Sequence, residues 1–215
     1  MPRPGVCHHG GVDELLPAIR DRRASRAFRP EPVPAAARDL LWEAAARAPS
    51  HGNTQPTRIL VAESEAVRER LIAALNEGNR HWARHAPLLF ALAANPSHDI
   101  VIEGTDGSRR ELYPLHVGIA LGNLMAQATA LSLVAHPMAA FDEAAVREVF
   151  GCPGQVRILA VVACGYPGDP ATLPPDLAAK ETAPQRRLPL QHRVAVDRWV
   201  PDLEVSPRDL RRKDG

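Results

Sequence analysis

Leu88-Leu89-Phe90-Ala91-Leu92-Ala93-Ala94 is a run of seven apolar residues set between Pro87 and Asn95. A strand with one wet face alternates apolar and polar residues, so an unbroken run of this length is expected of a strand covered on both faces. Arg157 to Cys164 repeats the pattern, apolar throughout after Arg157, and Ile59 to Ala62 reads as a shorter strand. Helical signals surround these runs. Asp13 is placed to cap a short helix with Leu15, Leu16 and Ile19 on one face. Pro34 suits the first turn of a second helix, whose apolar stripe is Leu40, Leu41, Ala44, Ala45 and Ala48 and which Pro49 ends. Ser64 caps a third through Val67, Leu71, Ile72 and Leu75, and Asp142 caps another that stops near Gly151. A long apolar helix runs from about Pro114 to Leu133, with Gly118 and Gly122 four apart and open to close approach by another helix. Asn95 to Arg110, with Asn95-Pro96, Gly104 and Asp106-Gly107, reads as a loop or loose hairpin. The segment from His136 to Asp142 reads as a turn. The fold class is α+β, with helices dominating a small sheet.

At 215 residues the economical expectation is one domain over 12–200, between a disordered arm at 1–11 and a flexible tail at 201–215. Hydrophobic residues at 45% and charged residues at 24% suit an ordinary folded chain and exclude wholesale disorder. A net charge of +1 argues against a nucleic-acid binder working by bulk electrostatics. Only Lys180 and Lys213 among the basic residues are not arginine, so where the arginines cluster matters more than their total. Cys7, Cys152 and Cys164 form no CxxC pair and no zinc spacing, which reads as reduced thiols in a cytoplasmic protein. No apolar signal-peptide core is present near Met1, and Val117 to Ala135, broken by Asn123, Gln127, Thr129 and Ser132, reads as a buried helix rather than a membrane span.

Four segments carry the polar chemistry. Arg22-Arg23-Ala24-Ser25-Arg26 places three guanidinium groups and a hydroxyl within five residues, enough to wrap a phosphate or simply to solvate a helix end. Ala48-Pro49-Ser50-His51-Gly52-Asn53-Thr54-Gln55-Pro56 packs amides, hydroxyls and exposed backbone into one loop that could read the edge of a planar heterocycle. Its bland reading is a Pro/Gly/Asn turn serving only itself. The turn at Pro137-Met138-Ala139 could aim backbone N–H groups at a ligand, and Arg186-Arg187-Leu188-Pro189 offers a second basic pair. His81 and His85 have the spacing of a zincin pair, but Trp82 stands where the general-base glutamate would be needed, so no metal site is expected. Cys164, inside an apolar strand, reads as core, and Trp82 and Tyr113 as either pocket wall or packing.

In this order and spacing, the four segments resemble the FMN-dependent nitroreductase family from about Leu15 to Pro189. The likeness rests on Ile19 to Phe28 with Pro32-Val33, on Ala48 to Pro56, on Gly122-Asn123-Leu124 through Phe141-Asp142, and on Arg186 to Pro189. The resemblance implies a small, mainly antiparallel sheet surrounded by helices, in an intertwined homodimer with two FMN sites at the interface and a C-terminal segment lying over the partner. It assigns Arg22, Arg23, Ser25, Arg26 and Arg187 to the phosphate and its surroundings, with Arg26 a stabiliser of reduced flavin. Ser50, Asn53 and Gln55 would reach the flavin, some from the opposite subunit; Asn79 would contact it; Pro137, Met138 and Ala139 would face the ring with backbone. The implied activity is two-electron transfer from NAD(P)H through FMN to a small organic acceptor such as a nitroaromatic or quinone, by a ping-pong mechanism. Other chemistries on the same fold (flavin fragmentation, reductive dehalogenation, ring oxidation) and flavin sequestration without turnover remain alternatives. Ala24, Thr57 and Ala139-Ala140 depart from the serine, tryptophan and glycine common in the family, and Trp82 and Gln185 stand where some relatives have lysine.

Overall fold

The computed structural model describes residues 14–207. The chain divides into two compact units, Met1–Glu181 and Thr182–Gly215. In the first, the elements run α1 (Pro17–Arg20), α2 (Ala35–Ala46), β1 (Thr57–Val61), α3 (Glu65–Ala74), α4 (Glu77–Ala83), β2 (Leu88–Ala94), β3 (Val101–Glu103), β4 (Arg109–Glu111), α5 (Tyr113–Ala130), β5 (Val134–Met138), α6 (Glu143–Val149), β6 (Arg157–Gly165) and α7 (Pro175–Thr182). The main sheet has the order β1-β2-β6-β5, with every neighbouring pair antiparallel. β3 and β4 form a separate hairpin, as Asp106-Gly107 foretold.

Both long apolar runs are the central strands, and their period of two divides the interior. Phe90 and Leu92 of β2 join Leu41 of α2 and Val117 and Leu124 of α5 in one core; Leu89 and Ala91 join Leu71 of α3, Trp82 of α4 and Val146 of α6 in the other. All seven residues of β2 are buried, which is why none of them is polar. The chain therefore forms a three-layer sandwich, helices on both faces of an antiparallel sheet.

The caps behave as read. Ser64 Oγ accepts from the Val67 N–H and Asp142 Oδ1 from the Ala145 N–H. Two segments differ. Val134–Met138 is a strand rather than part of a turn: β5 lies at the sheet's edge, where Pro137 needs no N–H for an outer neighbour, so proline does not exclude it. The long helix stops at Ala130, because Ser132 takes a left-handed backbone (φ 58°) and the Leu133 N–H returns to the Ala128 carbonyl. Leu15, Leu16 and Ile19 lie more than half exposed around a helix of only four residues. A Cβ added at Gly118 or Gly122 would meet nothing within 4 Å, so among the described residues no helix uses that close approach. Asp13, the arm at 1–11 and Cys7 lie outside the described residues.

In the second unit, two short 3-10 turns, Leu190–His192 and Pro201–Glu204, are joined by the His192 Nδ1–H donating to the Asp202 carbonyl at 2.9 Å. Leu190, Val194, Val196 and Trp199 are 61–77% exposed.

Phe90 is fully buried and meets the edge of Trp42 at 5.0 Å between ring centroids. Phe90→Ala removes this contact and leaves a cavity at the centre of the sheet, so chemical denaturation should show a stability loss of about 4 kcal/mol. A loss under about 1 kcal/mol would mean that the first core does not depend on this strand.

Candidate functional site

The loop before β1 is built from unusual backbone. Gly52, Asn53 and Gln55 all have positive φ, at 59°, 57° and 49°. Glycine adopts this region freely and asparagine with little cost, but glutamine rarely does. The loop closes on itself, with Ser50 Oγ accepting from the Gln55 N–H at 2.9 Å and Gln55 Nε2 donating to the Asn53 carbonyl at 3.2 Å. It is tied to the body by a buried pair. The His51 N–H donates to His116 Nε2 at 3.0 Å, His116 Nδ1 donates to Asp99 Oδ2 at 2.8 Å, and the Thr54 hydroxyl donates to Asp99 Oδ1 at 2.7 Å. Burial alone would push the Asp99 carboxyl up, but the Thr54 hydroxyl, the Ile100 amide and the His116 imidazole outweigh it and hold the group below the usual carboxylate range. Cavities of about 510 and 250 Å³ flank the loop, both touching Ser50 and His116. Asp99 and His116 went unmarked in the sequence reading, although His116 is the only histidine in α5.

A second cluster forms at the other edge of the sheet. Ser25 Oγ donates to Glu181 Oε2 at 2.6 Å, and the Arg26 guanidinium donates to Glu181 Oε1 at 3.0 Å. The Glu181 side chain is only 7% exposed. Arg26 also lies over the Trp82 ring at 5.9 Å, and Trp82 meets His136 at 4.6 Å and Phe28 at 6.4 Å between centroids. His136 Nδ1 donates to the Ser25 carbonyl at 3.1 Å, joining the arginine segment to β5. Beyond Met138, the exposed Ala139-Ala140 turn is fastened by the Asn76 N–H donating to the Ala140 carbonyl, so the start of α4, which carries the half-buried Asn79, sits against the turn. Met138 itself points into the core at 3% exposure, and Pro137 has no N–H, so the donors available to a ligand here belong to Ala139 and Ala140.

The fold brings Ser25, Arg26 and the Pro137–Ala139 segment together, with Asn79 on the adjoining helix, but it does not bring the Ser50–Gln55 loop to them. β1 and β5 are opposite edges of a four-stranded sheet, about 14 Å apart at the usual strand spacing. The loop also adjoins the Thr57 end of β1, level with Ala94, whereas the Arg22–Arg26 segment adjoins the Gly165 end of β6 through the Phe28–Pro167 bridge. Arg22 is half-buried and Arg23 exposed. Arg187 belongs to the second unit, where its guanidinium donates to the Arg186 carbonyl and the Gln185 side chain.

Other candidates resolve simply. Burial pushes the Cys164 thiol up to about 12, so it stays protonated and inert as a core residue. Trp82 and Tyr113 are packing residues, 1% and 4% exposed. Among the described residues no group of three potential metal ligands occurs, and no helix is long and apolar enough to cross a membrane.

With this geometry in view, the sequence profile of the nitroreductase family matches residues 19–166, and the chain belongs to that family. An NADH dehydrogenase of Thermus thermophilus is 32% identical over 209 residues, covering 85% of this chain and 95% of its own. A putative NADH dehydrogenase/NAD(P)H nitroreductase of Streptomyces coelicolor is 30% identical over 164 residues, covering 70% and 81%. Among solved structures, the crystal structure of an oxidoreductase containing FMN aligns with a TM-score of 0.76 at 27% identity, covering 92% of this chain and 99% of that one.

Burial, then the neighbouring Arg26 charge, lowers the His136 pKa to about 4 from an ordinary 6.5. The unfolded chain therefore takes up the proton first, and stability falls as pH drops from about 6.5 towards 4. Between pH 7 and 5 this group should account for a loss of about 2 kcal/mol. His136→Gln keeps a donor for the Ser25 carbonyl without a titrating ring, so urea unfolding at the two pH values should show a smaller loss for the variant. Equal losses would assign the titration to another group.

Proposed function

We propose that this chain is an FMN-dependent oxidoreductase that works as a homodimer and passes two electrons from NAD(P)H to a small organic acceptor of the nitroaromatic or quinone type. The observation that carries the reading is the convergence of the Ser25 hydroxyl and the Arg26 guanidinium on the two oxygens of one carboxylate. A pair of donors that already grips Glu181 has the chemistry and spacing to hold a phosphate oxygen or the polar edge of a flavin. The exposed Ala139-Ala140 backbone beside it suits the face or edge of the ring, so the residues present fit FMN. Bound FMN would supply the hydride and two-electron chemistry, in ping-pong order if donor and acceptor use one pocket in turn.

The chain's own residues hold and tune the cofactor. Arg22, Arg23, Ser25 and Arg26 bind the phosphate and nearby groups; Arg187 joins them on the family resemblance alone. Arg26 offers positive charge to the reduced ring. Asn79, Pro137, Met138 and Ala139 border it, the last three through backbone. Ser50, Asn53 and Gln55 come from the second copy, because within one copy they stand at the opposite sheet edge. Exposed Leu115, Gly118 and Gly122 along α5, with Leu15, Leu16 and Ile19 nearby in sequence to the arginine segment, offer that copy an apolar surface. We assign the Thr182–Gly215 unit to lie over the partner; its exposed Leu190, Val194, Val196 and Trp199 support such a surface, and of the tail expected at 201–215 the part from 208 on lies outside the described residues. The free thiols of Cys152 and Cys164 support a cytoplasmic setting.

The visible spectrum of the purified protein, followed by anaerobic NADPH and then NADH, tests this directly. A flavin spectrum that bleaches is expected. A flavin spectrum that neither nucleotide bleaches would favour flavin sequestration or another chemistry on the same fold, and a protein that refuses added FMN would overturn the site. Glu181 competes for the same donors, so Glu181→Gln should tighten FMN by roughly five-fold in a fluorescence titration, while Arg26→Ala weakens it. Unchanged affinity in Glu181→Gln would detach Ser25 and Arg26 from the phosphate.

A further inference from the structure

Three of the four residues from Gly52 to Gln55 have left-handed backbone, and two of these carry a Cβ. Such backbone costs glutamine on the order of 1–2 kcal/mol and asparagine less, so the rest of the structure must impose it at Gln55. The loop's bonds to itself are local: Asn53 N–H to the Ser50 carbonyl, Thr54 N–H to the His51 carbonyl, and the Ser50 and Gln55 contacts above. Among the described residues two hydrogen bonds fasten it to distant parts of the chain, and both end on the same buried pair. His51 N–H meets His116 from α5, and the Thr54 hydroxyl meets Asp99 from the turn before β3. The Asp99 and His116 side chains are 2% and 4% exposed.

The bonding pattern fixes the state of the pair. A backbone N–H can only donate, so His116 Nε2 carries no proton, and the ring's proton sits on Nδ1 and goes to the Asp99 carboxylate. Asp99 in turn accepts from His116, Thr54 and the Ile100 N–H. Each acceptor is therefore oriented by a donor on a different element, and the loop cannot rotate about Gly52 without leaving a buried polar group unpaired.

We propose that Asp99 and His116 are positioning residues for the flavin-facing loop, holding Ser50, Asn53 and Gln55 as one preformed set. The proposal rests on the reading of that loop as flavin-facing. Neither residue touches the cofactor; each acts through the backbone between His51 and Thr54. Preorganisation of this kind appears in affinity, since a loop that must be ordered on binding gives up part of its contact energy.

The test is an FMN titration of the full-length apoprotein, followed by flavin fluorescence, with the visible circular dichroism of the bound ring and the melting temperature of each apoprotein. Asp99→Asn sets its amide NH2 against either the imidazole N–H or the Ile100 N–H, and His116→Leu removes both of the ring's bonds. Each should weaken FMN about tenfold and alter the ring's dichroism. His116→Gln keeps one acceptor and one donor and should stay within about twofold of wild type. Thr54→Val, which deletes a single bond, serves should Asp99→Asn not fold, and should weaken FMN by roughly threefold. If Asn53→Ala or Gln55→Ala weakens FMN while His116→Leu binds it as wild type does, the positioning proposal fails and the flavin reading of the loop stands. If FMN binds tightly and none of these variants disturbs it, the flavin reading of the loop itself fails. If His116→Gln loses FMN and melting temperature as fully as His116→Leu, the pair is a structural tie rather than a positioning device.

Discussion

The pairing of β2 with β6 is the constraint on which the rest of this structure depends. Both strands are apolar on both faces, so neither face can be left to water, and the chain must supply helices above and below. α2 and α5 cover one side and α3, α4 and α6 the other. With β2 and β6 central, β1 and β5 become the two edges, and each edge carries one half of the polar residues that matter. The loop entering β1 holds Ser50, Asn53 and Gln55; the strand β5 and the segment beside it hold Ser25, Arg26 and the Ala139-Ala140 turn. The same burial that stabilises the domain thus divides its chemistry, which is the physical basis for reading the site as shared between two copies.

Each half is held by a buried carboxylate used as an acceptor. Glu181 gathers Ser25 and Arg26, and Asp99 gathers Thr54, Ile100 and His116. The two differ in what they do to their donors. Asp99 accepts from a hydroxyl, a backbone amide and an imidazole, bonds that orient backbone, so it shapes a loop. Glu181 engages a guanidinium and a hydroxyl that could serve an external anion, so it competes. A buried charge is costly unless paired, and both are paired fully enough that no buried side-chain nitrogen or oxygen among the described residues lacks a partner.

Much of this was legible in the residues. The unbroken apolar run at Leu88–Ala94, the Ser64 and Asp142 caps and the hairpin at Asp106-Gly107 follow from local rules, and each took the form those rules require. β5 was missed because five residues with a proline give too weak a period, and only their place at a sheet edge makes them a strand. Asp99, His116 and Glu181 were missed for a related reason. Single polar residues in a turn, an apolar helix and a polar helix are unremarkable until folding brings each to a donor far away in sequence.

What the sequence by itself determined was the α+β class, the positions of most elements and the family to which the segments Ile19–Phe28 and Ala48–Pro56 point, because these depend on local periodicity, capping and short motifs. Only the tertiary structure decided which residues share a site. It placed Glu181 on Arg26 across 155 positions and His116 on His51 across 65, and it set the Ser50–Gln55 loop at the opposite sheet edge from Arg26. Such contacts arise from strand order and helix packing, which the apolar pattern requires to exist but does not arrange.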